Sequence, residues 1–181
     1  PSQKKLLLIL DLDETLIFST KNKISKQEDS IIDEYFVYKR PGLDLFLNTI
    51  LVDFEIAVWT SSTEDYAEEV INKIFPKDYP LSFVYGRKKC TLTFLHEQND
   101  YTYSKNLKKL KPKNYNLEKI LIIDDSPEKL RRNYGNHIRV NPFVGSNDDI
   151  ELFQLIKYLK KIKLCDNVRA IEKRSWRIDI K

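Results

Sequence analysis

The sequence predicts an α/β fold with a mostly parallel sheet flanked by helices, and three observations predict it. Leu6 to Leu10 is an unbroken apolar run between lysines and Asp11, which is how a strand covered on both faces reads. Phe54 to Trp59 and Ile120 to Ile123 repeat that character. Between these runs lie segments with apolar residues at helical spacing, and strands that alternate with helices belong to parallel sheets. The chain has 181 residues, 41% hydrophobic and 32% charged, which suits one globular domain and excludes wholesale disorder. The domain is expected to take in residues 1–181, with a small antiparallel insertion at about 82–103.

The elements follow in order. Residues 20–34 are polar, lack a period and read as a loop. Pro41-Gly42 opens a helix whose residues Leu43, Phe46, Leu47, Ile50 and Leu51 share one face. After the strand Phe54 to Trp59, the run Thr60-Ser61-Ser62-Thr63 offers hydroxyl caps, and Glu64 and Asp65 suit a first helical turn. Tyr66, Ala67, Val70, Ile71 and Ile74 form the stripe of that second helix, which Pro76 closes. Phe83-Val84-Tyr85, Cys90-Thr91-Leu92-Thr93-Phe94 and Tyr101-Thr102-Tyr103 are short, β-branched and aromatic, and they predict the antiparallel insertion. Beyond Ile120 to Ile123, Ser126-Pro127-Glu128 starts a helix, with Ser126 as cap and Pro127 at its first position. Ile138-Arg139-Val140 is a short strand. A final helix from about Asp149 turns Leu152, Leu155, Ile156, Leu159 and Ile162 inward. Asp166 to Lys181 has no period, and Trp176 has no assigned place.

Charge and cysteine usage exclude several classes. Thirty-one basic against 27 acidic residues give a net charge of +4, spread along the chain, so acidic partners are favoured only weakly. No stable nucleic-acid partner is expected, because no aromatic-basic recognition module is present. Cys90 and Cys165 have no metal-ligand spacing and read as two reduced thiols. No apolar run approaches the roughly 18 residues of a membrane span, and no signal peptide is read. The expectation is a soluble intracellular monomer, nuclear or cytoplasmic if eukaryotic.

Parallel sheets bind ligands at the carboxyl ends of their strands, so the residues that follow each strand matter most. Asp11-Leu12-Asp13-Glu14-Thr15 follows the first strand, Thr60 the second, Lys105 the insertion and Asp124-Asp125 the third buried strand. Carboxylates gathered this closely raise one another's pKa unless a cation intervenes. A hard divalent ion with oxygen ligands fits, and Mg²⁺ is favoured where a phosphate completes its shell. An ionised Asp can attack phosphorus and form an acyl phosphate. A second carboxyl two residues on can protonate the leaving oxygen and then deprotonate water. His96 and His137 are assigned no chemistry.

Asp11-Leu12-Asp13-Glu14-Thr15 resembles the first motif of the haloacid dehalogenase superfamily. More narrowly, the chain resembles the FCP/SCP-type, NLI-interacting-factor-like phosphatases, which dephosphorylate the C-terminal domain of RNA polymerase II or other phosphoproteins. The likeness lies in DLDETLI (Asp11–Ile17), RPGLDLFL (Arg40–Leu47), WTSSTEDYAEEV (Trp59–Val70), YSKNLKKL (Tyr103–Leu110) and LIIDDSPEK (Leu121–Lys129), over about residues 5 to 164. It implies a Rossmann-like fold of the haloacid dehalogenase type and a Mg²⁺-dependent phosphoserine or phosphothreonine phosphatase with an aspartyl-phosphate intermediate. By the same resemblance Asp11 is the nucleophile and a metal ligand, and Asp13 is the general acid/base that gives the metal its carbonyl. Asp125 is the third ligand, and Asp124 orients Lys105 or a metal-bound water. Thr60 and Lys105 contact the phosphoryl group. Thr15, Arg87 and Tyr66 are the substrate-side candidates, Thr15 by orienting the loop or the general acid. Lys21 stands where polymerase-directed members carry an aromatic, so half of their proline pocket is missing. Two alternatives stay open: a peptide-binding module without turnover, and a small-molecule or nucleic-acid-end phosphatase.

Overall fold

The computed structural model describes residues 5–180; residues 1–4 and 181, the two ends of the domain expected over 1–181, lie outside the described residues. The elements in chain order are β1 (Leu6–Leu10), β2 (Ile17–Thr20), β3 (Ser30–Ile32), β4 (Tyr35–Lys39), α1 (Leu43–Asp53), β5 (Phe54–Trp59), α2 (Glu64–Ile74), β6 (Leu81–Tyr85), β7 (Thr91–Leu95), β8 (Asp100–Ser104), β9 (Ile120–Asp124), β10 (His137–Arg139) and α3 (Glu151–Ile162), with short 3₁₀ turns between them.

Five strands build the central sheet in the order β10-β9-β1-β5-β6, and every pairing is parallel. The apolar runs follow from this burial. Leu6, Leu8 and Leu10 face one core with Ile56, Val58, Leu121 and Ile123, while Leu7 and Ile9 face the other with Ala57, Trp59, Ile120 and Ile122. All three α-helices cover the first face. The second is covered by the 3₁₀ stretches Leu107–Lys113 and Pro127–Asn136, through Leu107, Leu110 and Leu130.

Three expectations change. Residues 20–34 are not a plain loop: β2, β4 and β3 form a three-stranded antiparallel sheet. Its signal is sparse because Ile17, Ile32, Val37 and Tyr38 are its few fully buried anchors, and the turn at Asp33 is left-handed (φ 50°). Phe83-Val84-Tyr85 leaves the insertion and joins the central sheet as β6, because its backbone pairs with β5. The insertion shrinks to the β7–β8 hairpin. The helix expected after Ser126 is a kinked 3₁₀ stretch, Pro127–Asn136. Asn133 leaves helical geometry, and its side chain instead accepts from the N–H of Leu107 at 3.0 Å. Ser126 makes no cap bond, and its hydroxyl goes to Asp125.

The helix after Pro41 starts from Gly42, whose φ of 80° favours glycine; a Cβ there would meet the Phe153 ring at 2.7 Å. Trp176 is fully buried, packs on Tyr158 and donates to the carbonyl of Arg139, so it ties the last described residues to β10. No described helix is long and apolar enough to cross a membrane.

Candidate active site

β9, β1 and β5 are neighbours running the same way, so whatever follows each of them gathers at one edge. Asp11 follows β1, Thr60 follows β5, Asp124 ends β9 and Asp125 comes next. Two backbone bonds extend the ladder past the strand ends: Asp11 N–H to Ile123 O (3.0 Å) and Thr60 N–H to Tyr85 O (2.8 Å). Lys105 arrives from β8 and is fixed by its N–H to the carbonyl of Lys129 (2.8 Å).

The buried layer is an ion cluster. Lys105 Nζ lies 2.7 Å from Asp11 Oδ1 and 2.5 Å from Asp124 Oδ2, with all three side chains out of solvent. Burial opposes charge on Lys105, but the two carboxylates outweigh it and hold its pKa above the ordinary lysine value. Asp11 is pushed up, first by burial and then by Asp124, against the pull of Lys105. Thr15 is buried beneath, with its hydroxyl 3.4 Å from both Asp11 Oδ2 and Asp125 Oδ1. Thr15 therefore touches the nucleophile candidate and Asp125, not Asp13, and it does not line the cavity above.

That cavity, of about 500 Å³, is lined by Asp13, Asp125, Lys129, Tyr66 and Arg87 among others. The chain turns sharply beyond Asp13, because Glu14 sits in the left-handed region (φ 59°), a costly conformation outside glycine. Asp13 is held by Ser62 Oγ on one oxygen and Tyr66 OH on the other, both at 2.8 Å. Since Tyr66 spends its one hydrogen on Asp13, Ser19 must be the donor in the 2.6 Å bond between them. Burial raises the Asp13 pKa despite these donors. Thr60 Oγ1 accepts from the N–H of Ser62 (3.1 Å), which leaves its hydroxyl hydrogen available. Arg87 lines the rim, with Nε on the carbonyl of Ser61 (2.8 Å) and its guanidinium over the Tyr103 ring.

Asp11, Asp124 and Asp125 each bring a carboxylate oxygen within 4.8 Å of the others. Lys105 pairs with two of these carboxylates but brings one positive charge; Asp125 and the neighbouring Asp13 have no ion pair among the described residues. This excess of buried, hard oxygen donors fits a hard cation.

The strand-end logic thus assembles Asp11, Thr60, Lys105, Asp124 and Asp125, and the cavity adds Asp13, Tyr66 and Arg87. Other groups went unread in the sequence. Lys129 lines the cavity and enters no ion pair among the described residues; burial opposes its charge, but Asp11, Asp124 and Asp125 lift its pKa above the ordinary value. Its place four residues after Asp125 was the available signal. Ser62 reads as a possible helix cap, yet it binds Asp13. Tyr35 and Asp33 reach the rim on the small sheet, and Lys21 there pairs with Glu34 at 2.5 Å and lies over the Tyr35 ring.

Comparison with known proteins agrees with this architecture. A family model described as NLI interacting factor-like phosphatase matches residues 6–169. Nuclear envelope morphology protein 1 of Saccharomyces cerevisiae is 30% identical over 192 residues, covering 94% of this chain and 42% of its own length. CTD nuclear envelope phosphatase 1B of Danio rerio is 28% identical over 187 residues, covering 95% of this chain and 73% of its own. The chain spans less than half the length of the yeast relatives, 42% and 34%. Among solved structures, Fcp1, described as an essential RNA polymerase II CTD phosphatase, matches with a TM-score of 0.69 at 20% identity, covering 88% of this chain and 62% of that one. A haloacid dehalogenase-like hydrolase from Bacteroides fragilis matches at 0.53 and 14% identity, over 83% and 93% of the two chains. These likenesses show the fold: the haloacid dehalogenase type with its parallel sheet.

Proposed function

The chain belongs to the NLI interacting factor-like phosphatase family, and from that membership we propose that it is a Mg²⁺-dependent phosphatase acting on phosphoserine or phosphothreonine in proteins. One observation carries the reading. Lys105 holds Asp11 by one oxygen and leaves the other without an ion pair, while Asp13, tethered by Ser62 and Tyr66, opens on the same cavity as Asp125. Nucleophile, acid and cation ligands then gather at one sheet edge.

The residues divide the work as follows. The Asp11 oxygen that Lys105 does not hold attacks phosphorus, and the bond from phosphorus to the serine or threonine oxygen breaks. Asp13, its pKa raised by burial, gives its proton to that departing oxygen. Asp13 then takes a proton from water, whose oxygen displaces Asp11 from phosphorus and frees inorganic phosphate. Tyr66 and Ser62 keep the Asp13 carboxyl aimed at the cavity in both steps. Thr60 donates to a phosphoryl oxygen, and Lys105 and Lys129 set positive charge beside it. Asp11, Asp125 and the carbonyl of Asp13 would hold Mg²⁺, which would supply further positive charge against those oxygens when bound. Asp124 keeps Lys105 in place.

The insert between β6 and Lys105 is a two-stranded hairpin, too small to close over a metabolite, so the cavity suits an extended chain. Arg87, Tyr66 and Tyr35 line the path that chain would take. We read the chain as working in the nucleus or cytoplasm, with the nuclear envelope named in its relatives the first setting to examine.

The test compares hydrolysis of a phosphopeptide, a phosphosugar, a 3′-phosphorylated oligonucleotide and an aryl phosphate, with and without Mg²⁺. The phosphopeptide and the aryl phosphate are expected to turn over. Phosphopeptide binding without turnover of any substrate would revive the peptide-binding module. In Asp13→Asn the loss is expected to be heavier on alkyl than on aryl esters, whose leaving oxygen needs little protonation; equal losses would remove Asp13 from the acid role.

A further inference from the structure

A second cleft, of about 520 Å³, lies at the β10 edge of the sheet and plays no part in the reaction above. Its walls are β10 and the segment after the 3₁₀ turn Val168–Ala170, the stretch whose sequence shows no period. Trp176 fixes this segment by burying its ring and bonding Arg139 O.

The lining is cationic and poorly balanced. Arg139, Arg169, Lys173 and Arg174 face one carboxylate, Glu172, and Arg174 already holds both of its oxygens, Oε1 at 3.0 Å and Oε2 at 2.6 Å. Arg139, Arg169 and Lys173 enter no ion pair among the described residues. Lys173 is 4% exposed, and its ammonium rests on the backbone carbonyls of Val168 and Ile171. Its hydrogen bonds go only to carbonyls and it makes no ion pair, whereas buried charges are normally paired. Burial accordingly pulls its pKa down. Gly135 lies against Arg169 in the same wall: a Cβ there would stand 3.4 Å from the guanidine Nε, an ordinary contact. Tyr134 is 80% exposed beside it. Burial pulls down the pKa of His137 in the same wall.

Three unpaired cations around a concave space suit a dianion better than a carboxylate, and guanidinium pairs match phosphoryl oxygens. A concavity also admits one group on a stalk, where a flat bilayer surface would not enter. We propose that this cleft seats a second phosphoserine or phosphothreonine of the protein substrate, apart from the one being hydrolysed, so that multiply phosphorylated proteins are preferred. The inference rests on the phosphoprotein phosphatase reading and names its substrate class more narrowly.

The test uses the full chain and a double variant, Arg139→Ala with Arg169→Ala, both exposed side chains that do not line the catalytic cavity. Peptides with one phosphoserine, or with a second at graded spacings, are compared for KM, and aryl phosphate turnover monitors the reaction itself. A second tether is expected to lower KM by about tenfold or more at the best spacing. In the double variant that preference collapses while aryl phosphate turnover holds. Equal KM values for the two peptide classes in the wild type overturn the proposal, as does a preference that survives the double substitution. If no substrate turns over at all, the enzymatic reading fails separately. The cleft is then judged by fluorescence anisotropy of a singly phosphorylated peptide, whose binding must weaken in the double variant. Inorganic phosphate competing as well as that peptide would assign the cleft to a free anion and overturn the docking role. Binding to phosphatidylserine vesicles without any peptide preference would assign it to a membrane surface instead.

Discussion

Two buried ion clusters in this molecule are built in opposite ways. Arg40 is fully buried, and its guanidinium makes four hydrogen bonds: two to Asp149, one to the carbonyl of Thr15 and one to that of Asn141, all between 2.8 and 3.0 Å. It also packs over Phe143. Its charge is matched by one carboxylate, and its donors by carbonyls. The Asp11 cluster a few residues away has Lys105 against Asp11 and Asp124, with Asp125 and Asp13 in excess and Lys129 facing the cavity. A balanced cluster locks loops; an unbalanced one stores repulsion that a bound cation and phosphate can relieve. The two are joined, because Arg40 holds the carbonyl of Thr15, whose hydroxyl reaches Asp11 and Asp125.

The sharpest way to break this contrast is Asp11→Asn. Turnover of an aryl phosphate is expected to fall by about 10³ or more, while the urea midpoint of the metal-free protein does not fall, since one crowded carboxylate has gone. A matching loss of stability would merge the two clusters into one class. Arg40→Ala is the mirror image. Removing one partner of a buried pair is expected to cost about 3–5 kcal/mol, read from urea unfolding; a loss under about 1 kcal/mol would show that the pair is no lock.

The contrast also has a pH signature. Asp11 and Asp13 have folded pKa values raised chiefly by burial, so the folded state binds their protons more tightly than the unfolded chain. Their stability contribution is present at low pH and is lost as pH rises from the ordinary carboxylate range through the raised values. Thermal unfolding of metal-free protein should show that loss, and Asp13→Asn should blunt it. At neutral pH, Mg²⁺ at a hundredfold its Kd should restore about 2.7 kcal/mol, but not in Asp125→Asn. A metal-free protein whose stability rises with pH over that range would contradict the crowding. The smallest effect is expected from Lys129→Gln: about tenfold in kcat/KM, with the unfolding midpoint unchanged. A stability loss there would make Lys129 a structural counter-ion.

The sequence carried the central sheet and most of the candidate active-site edge for one reason. Strands buried on both faces must be continuously apolar, and the residues that end them must come out at one edge. Asp11, Thr60, Asp124 and Asp125 were legible because each directly follows or ends such a run. Lys105 was legible through motif order, although Leu107–Lys113 is a 3₁₀ stretch with little pattern. The β2–β4–β3 sheet was not legible, because so short a sheet with four buried anchors shows no period above its polar surroundings. Tyr35 at the rim was lost with it. Phe83-Val84-Tyr85 was recognised as a strand, but which sheet it joins is a matter of pairing, and a short β-rich run does not encode its partner.

What the residues determined on their own was local: which segments bury both faces, where they stop, and which acids and hydroxyls stand at the stops. Only the tertiary structure decided the rest. It chose the partners of Asp13 as Ser62 and Tyr66, turned Lys129 toward the acids, gave Trp176 a place against Tyr158 and set Arg139 beside Arg169 and Lys173. Each of those meetings joins groups brought together by packing, across 30 residues or more in most cases. Their geometry depends on how whole elements dock, which no local spacing specifies.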